Sequence, residues 1–161
     1  MRSGQQNPVR QAPVRRGPNT SHAMDVFWHP KDTFVAGFVG IGNLIRGVAR
    51  KAGDLTEIVT DAGVVIVTAA AEEGPAIATL HAEDIIVSKE PFLSSARNCL
   101  KGTVSGIVPA GSTVRVMIDA GFPLCALLTR ESCSGLGLAC GGAVYATFKA
   151  SAVHVIPEKA P

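Results

Sequence analysis

Aromatic side chains are scarce in this chain of 161 residues: they make up 5%, with one Trp and one Tyr. A single-stranded nucleic-acid surface built on base stacking needs several such rings, so no nucleic-acid partner is expected. No apolar run reaches membrane-spanning length, because Gly, Thr, Asp or Glu interrupts each one. Direct membrane insertion is therefore not expected. The opening Met1-Arg2-Ser3-Gly4-Gln5-Gln6 lacks the apolar stretch of a secretory signal, which leads to the expectation of a cytoplasmic protein. Cys99, Cys125, Cys133 and Cys140 include no C-x-x-C pair, and no histidine stands at zinc-finger distance. They read as small reduced thiols, with no metal site. There is no G-x-x-x-x-G-K-[ST], so no phosphate loop and no ATP hydrolysis are expected of these residues. Ser95, Ser132 and Cys133 have no adjacent histidine in sequence, and His154 is isolated. The chain reads as a non-enzyme without catalytic residues.

Acid is absent from the first 22 residues, which hold Arg2, Arg10, Arg15 and Arg16. The formal charge of +2 comes from there, since without those four arginines 11 basic residues face 13 acidic ones, or −2. Any anion site in the folded part must therefore be local and cannot rest on a global field. Residues 1–23 are rich in Pro, Gln, Arg and Ser without apolar period and read as a disordered or foreign tail. Residues 24–37 read as a linker or docking segment. A short helix up to Trp28 is stopped by Pro30, and an apolar docking turn covers Phe34–Gly40. Trp28 suits a packing anchor.

Apolar residues make up 47% of the chain and are mostly small or β-branched, which suits thin β-structure with many turns. From Asn43 onward the period is that of strands. Val64–Val67 is short and continuous. Val114, Val116 and Ile118 share one face of 113–119, and Tyr145, Thr147 and Lys149 share one side of 144–149. Asp61-Ala62-Gly63 and Asp119-Ala120-Gly121 read as hairpin turns.

Those two turns belong to a duplication. Asn43-Leu44-Ile45-Arg46-Gly47 matches Asn98-Cys99-Leu100-Lys101-Gly102, and Ala78-Thr79-Leu80-His81-Ala82 matches Ala146-Thr147-Phe148-Lys149-Ala150. The expected fold is all-β: two tandem small β-units, the first degenerate over 38–90, the second over 91–157 with one short helix, then a tail over 158–161. Units this short bury little surface alone and should pack on each other or on another chain.

The copies differ where chemistry would sit. Copy two has Ser95, Ala96 and Arg97 before its Asn98, where copy one has Gly40, Ile41 and Gly42. Copy two has Lys149 where copy one has His81, and it alone carries the insertion Thr129–Gly137. Arg97 offers a planar fork of donors and a permanent charge, and Lys149 a compact ammonium. Thr129 reads as the cap of a short helix through Arg130-Glu131-Ser132, with its hydroxyl beside free backbone amides. This inventory of donors without a base suits holding a small oxyanion unreacted. Copy one reads as scaffold, with His81 either a surface histidine or a second ligand.

Ser-Ala-Arg-Asn, then Thr-x-x-Ser, then Lys-Ala over roughly 92–157 resembles the molybdate-binding Mop repeat at the core of TOBE domains. Phe34–Gly40, Asn43–Ile45 and the run from Val26 to Pro30 resemble the link after the ATPase core of molybdate or tungstate importers. His81-Ala82-Glu83-Asp84-Ile85 departs from the Arg-Pro-Glu-Asp-Ile usual there. The resemblance implies small OB-like β-barrels and sites between subunits, with Ser-Arg of one chain meeting Thr/Ser and Lys of another. It implies oxyanion contacts from Ser95, Arg97, Thr129, Ser132, Lys149 and the backbone of Ala150, with Asn98 counted in the set. The implied ligand is molybdate or tungstate, with no covalent cofactor, held either by the regulatory domain of a transporter ATPase or by a stand-alone oxyanion storage or sensor protein. The implied partners are further copies of the chain, as a dimer or higher oligomer, and transporter ATPase and permease subunits at the inner face of the membrane.

A donor-only site suits a fully deprotonated tetrahedral dianion. Phosphate keeps a proton on much of its population at neutral pH, and that proton needs an acceptor. Near these contacts only Glu131 could supply one. Sulfate is excluded only by cavity size. Two readings stand beside the oxyanion binder: an oligomerisation module without ligand, and a nucleic-acid binder using the arginine tail.

Overall fold

The computed structural model describes residues 42–159. The expected tail over 1–23, the linker over 24–37, the helix at Trp28 and the docking turn at Phe34–Gly40 lie outside the described residues.

Ten strands follow in order: β1 (Gly42–Ala52), β2 (Leu55–Thr60), β3 (Val65–Thr68), β4 (Gly74–His81), β5 (Ile86–Ser88), β6 (Asn98–Ala110), β7 (Thr113–Asp119), β8 (Pro123–Thr129), β9 (Ala143–Phe148) and β10 (His154–Pro157). One short helix, α1 (Arg130–Gly135), follows β8, so the helix lies in the second unit as expected. Single 3-10 turns cover Ala82–Asp84 after β4 and Ala150–Ala152 after β9.

Alternation decides which side chains go inside. In β2, Thr56, Ile58 and Thr60 are buried between more exposed neighbours. In β7, Val114, Val116 and Ile118 face the core as their spacing requires, while Met117 on the other face packs near Gly106. Both Asp-Ala-Gly segments are turns, and Gly63 and Gly121 take positive φ of 80° and 92°, which a residue with a Cβ adopts poorly. The Asp119 carboxylate accepts from the Gly121 N–H at 3.0 Å and fixes that turn.

All pairing is antiparallel and forms two five-stranded sheets, ordered β10-β4-β1-β2-β3 and β5-β9-β6-β7-β8. Mapping β1 to β6, β2 to β7 and so on turns one order into the other, apart from the outermost strand. That strand is exchanged: β5, at the end of unit one, pairs with β9 of unit two, and β10, at the end of unit two, pairs with β4 of unit one. The two units consequently share one continuous core. Ile45, Ile58, Ile66 and Leu80 of the first pack in the same cluster as Val104, Ile118, Leu124 and Phe148 of the second.

Candidate functional site

Asn98 opens β6 and pairs with Phe148 at the end of β9. The ladder ends at that pair; Arg97 and Lys149 are the residues just beyond it on the two strands, with Ser95 two residues before Arg97 and Ala150 next to Lys149. Ser95, Arg97 and Lys149 are exposed. The ion pair of Arg46 with Glu158, at 3.5 Å, is elsewhere, and among the described residues neither cation has a carboxylate within ion-pair distance. Lys149 follows β9 as the residue before the 3-10 turn, and the N–H of Ala150 is not used inside that turn.

Thr129 and Ser132 are organised as the spacing requires. The Thr129 Oγ1 accepts from the Ser132 backbone N–H at 3.0 Å and caps α1, and the two hydroxyls are hydrogen-bonded at 2.8 Å. The Arg130 side chain donates from Nε to the Gly111 carbonyl at 2.9 Å and ties the helix to the β6–β7 hairpin. Both hydroxyl residues are exposed.

The chain does not bring these two groups together along its sheet. Thr129 pairs with Thr113 beside the β6–β7 hairpin, while Arg97 precedes the opposite end of the thirteen-residue β6. Within this chain Lys149, just past Phe148, is at the Asn98 end of β6, apart from Thr129 and Ser132. What meets the Lys149 corner within the chain is unit one. The Ala69 N–H donates to the Ala150 carbonyl at 3.2 Å, and the Thr68 hydroxyl donates to the Val153 carbonyl at 2.7 Å. The following residues of that loop, Ala70 and Ala71, carry no side-chain donor. In the complementary corner β8 packs on the Ala82–Asp84 turn, where Gly42 and His81 stand in place of Arg97 and Lys149.

Asn98 has a different position from the other candidates. Its side chain is 2% exposed, donates to the Val67 carbonyl and accepts from the Val67 N–H, both at 2.8 Å. Asn43 does the same from unit one, donating to the Cys125 carbonyl at 2.9 Å and accepting from the Cys125 N–H at 2.7 Å. Each asparagine clasps the third strand of the other unit, and Asn98 thereby fixes the start of β6, next to Arg97. The repeated Asn was visible in the sequence, but its partner was not. Thr147 is 2% exposed and donates to the Cys99 sulfur at 3.5 Å.

The cysteines are all free, with Cys99 and Cys140 exposed and Cys125 and Cys133 buried. Burial pushes the Cys125 thiol above its ordinary value, and the charge of Arg115 pulls it partly back. It is a neutral core group at physiological pH. Among the described residues no helix is long and apolar enough to cross a membrane.

Residues 94–155 match the TOBE domain family. The chain is 41% identical over 132 residues to a molybdate/tungstate import ATP-binding protein of Pyrococcus abyssi, covering 81% of this chain and 37% of that protein. It is 39% identical over 139 residues to the corresponding protein of Pyrococcus horikoshii, covering 83% of this chain and 37% of the relative. The similarity is to the C-terminal region of these subunits, and the chain spans well under half of their length. A spermidine/putrescine import ATP-binding protein of Trichormus variabilis is 31% identical over 102 residues, covering 59% of this chain and 26% of that protein. Among solved structures, the cytoplasmic molybdate-binding protein ModG with molybdate bound superposes with a TM-score of 0.60 at 22% identity, covering 70% of this chain and 94% of that one. The fold is therefore that of tandem OB-like units, as the resemblance implies.

Proposed function

Since residues 94–155 belong to the TOBE domain family, we propose that this chain binds a molybdate- or tungstate-type dianion between copies of itself, as the regulatory part of an importer ATPase. The observation that carries the reading is that the β6–β9 ladder ends at Asn98 and Phe148 and is followed on both strands by an exposed cation, Arg97 and Lys149, with no carboxylate within ion-pair distance among the described residues. Two exposed cations at one end of a ladder repel each other, and a dianion between them reverses the sign of that interaction. Ser95 and the N–H of Ala150 add donors at the same corner. Thr129 and Ser132 come from the second unit of another copy, because the unit-one loop at this corner offers alanines. The ligand class follows from donors without a base and from the molybdate/tungstate importers among the relatives. Asn98 holds the start of β6 in place and is not a ligand.

The chain itself performs no reaction. In an intact importer, ligand at this interface favours one arrangement of the paired domains and damps uptake when the cytoplasm is replete. Transport by the intact subunit that ignores cytoplasmic oxyanion would sink that regulatory step. A permease and an ATPase core are its partners on this reading, which places it in the cytoplasm at the membrane's inner face.

The test is a thermal melt with and without molybdate, tungstate, sulfate and phosphate. Ligand at a hundred times its Kd stabilises the folded state by about 2.7 kcal/mol. A shift with molybdate or tungstate is expected, and Arg97→Ala with Lys149→Ala should abolish it while leaving the ligand-free melt unchanged. A second reading, an oligomerisation module without ligand, is favoured by the occurrence of a similar region in polyamine importer ATPases, named for cationic substrates. Melts that move with no anion would establish it.

A further inference from the structure

We propose that residues 34–41, which lead into β1, fold back over the outer face of the first sheet and dock there through Phe34 and Phe38. The inference goes beyond the oxyanion reading and does not depend on it. Val48 of β1 lies opposite Pro75 of β4 on one side and Val59 of β2 on the other, and Val59 lies opposite Val65 of β3. One apolar row, Pro75-Val48-Val59-Val65, thus crosses four strands. It points away from the core, because its neighbours Ala49, Ile58, Ile66 and Ala76 are the buried residues. Val48 is 46% and Val65 42% exposed. In the next row Ile77 lies opposite Ile156 of β10 and widens the patch. The duplication supplies a comparison within the molecule. The same register in unit two sets Thr103 opposite both Ala143 and Asp119, and Asp119 opposite Pro123. Unit two therefore carries a hydroxyl and a carboxylate where unit one carries Val48 and Val59, and Tyr145 where unit one carries Ile77. With the same strand pairing, only unit one presents a contiguous apolar row, the kind of surface that marks a contact.

The occupant follows from where the chain enters this face. β1 begins at Gly42, and its outward residues Leu44, Arg46 and Val48 line the face. Gly42 has a φ of 95°, which takes the backbone out of the line of the strand at its first residue. The eight residues before it, Phe-Val-Ala-Gly-Phe-Val-Gly-Ile, hold no charge and no hydrogen-bonding side chain. Extended, they reach about 26 Å, more than the roughly 20 Å that separates Gly42 from Val48 along β1. The likeness to the Pyrococcus abyssi protein covers 81% of the chain, more than the part from Gly42 onward, so it runs on into this segment. Valine and proline give the row a shallow surface, and the two rings four residues apart supply the large apolar area it lacks. On this arrangement unit one anchors the chain that precedes it, and unit two carries the anion donors.

The experiment is hydrogen exchange of the 161-residue chain, read by mass spectrometry in peptides from 34–41. It compares wild type with Val48→Lys plus Val65→Lys and with Val48→Thr plus Val65→Thr, the latter copying the threonine that unit two holds at 103. Wild-type amides over 34–41 should exchange at least about tenfold more slowly than in an unfolded chain, at every protein concentration. The lysine pair should return them to the unfolded-chain rate and the threonine pair most of the way, while β6 and β9 exchange as in wild type. If the lysine pair also loosens β6 and β9, the threonine pair decides. Wild-type amides at the unfolded-chain rate overturn the docking. Protection that survives the substitutions in a folded variant overturns this face as its seat. Protection that disappears on dilution gives the face to a second copy and overturns the contact within the chain. The Arg97–Lys149 reading is tested separately by the anion melts and stands or falls with them.

Discussion

Asn43 and Asn98 carry more of the fold than their size suggests. Each is buried, and each pairs its amide with both backbone groups of one residue in the opposite unit. Removing either amide leaves a buried N–H and C=O without partners, at roughly 1–3 kcal/mol per group. Asn98→Ala should therefore lower unfolding stability by about 2–4 kcal/mol in urea melts. Asn43→Ala should cost at least as much, because Asn43 also donates to the Leu80 carbonyl at 3.2 Å. The repeat in the sequence showed that the two positions correspond. It could not show a clasp, because the partners are 31 and 82 residues away and only the packed units bring them together. For the same reason the sequence alone groups Asn98 with the oxyanion contacts beside Arg97, whereas in the fold Asn98 is turned inward and Arg97 is exposed.

Strands and turns follow local rules and were the most legible part. Alternation gave the inward faces of β7 and the extent of β9, and Thr129-x-x-Ser132 gave the helix start, since a hydroxyl cap is decided within one turn. Gly47 and Gly102, matched by the repeat, mark close approaches of neighbouring strands. A Cβ at Gly102 would lie 2.6 Å from the Ile118 Cγ2 and 2.7 Å from the Asp119 carbonyl oxygen, and one at Gly47 would lie 2.5 Å from the Val59 carbonyl oxygen. Gly102→Ala must therefore move backbone and should lower stability by about 1–3 kcal/mol. Gly135 in α1 has open space around it, so Gly135→Ala should be neutral or stabilising by up to about 1 kcal/mol. Chemical denaturation of the two alanine variants should differ in sign, and equal effects would refute the close-approach account.

At the scale of the whole molecule, the exchange of β5 and β10 is what no local pattern announces. A strand's sequence fixes which face it buries, but its choice of neighbour depends on packing between distant segments. The exchange makes an uneven prediction about the C-terminus. Ending the chain at Val153 removes β10, whose partner is β4 of unit one, while β9 keeps β5. Hydrogen exchange should then speed up first in β4, with β9 protected for longer. Faster exchange in β9 would contradict the pairing.

The same exchange bears on how such a molecule could arise and what it frees. A single unit of this kind, lacking its own outermost strand, would have to borrow one from a neighbour and would exist only as a pair whose formation depends on concentration. Joining two units in one chain makes the borrowing internal, at an effective concentration set by the connecting loop. Pairing is then assured at any dilution, and one half need only be a strand donor. Gly42, His81 and the Ala69–Ala71 run fit a half relieved of ligand chemistry in this way.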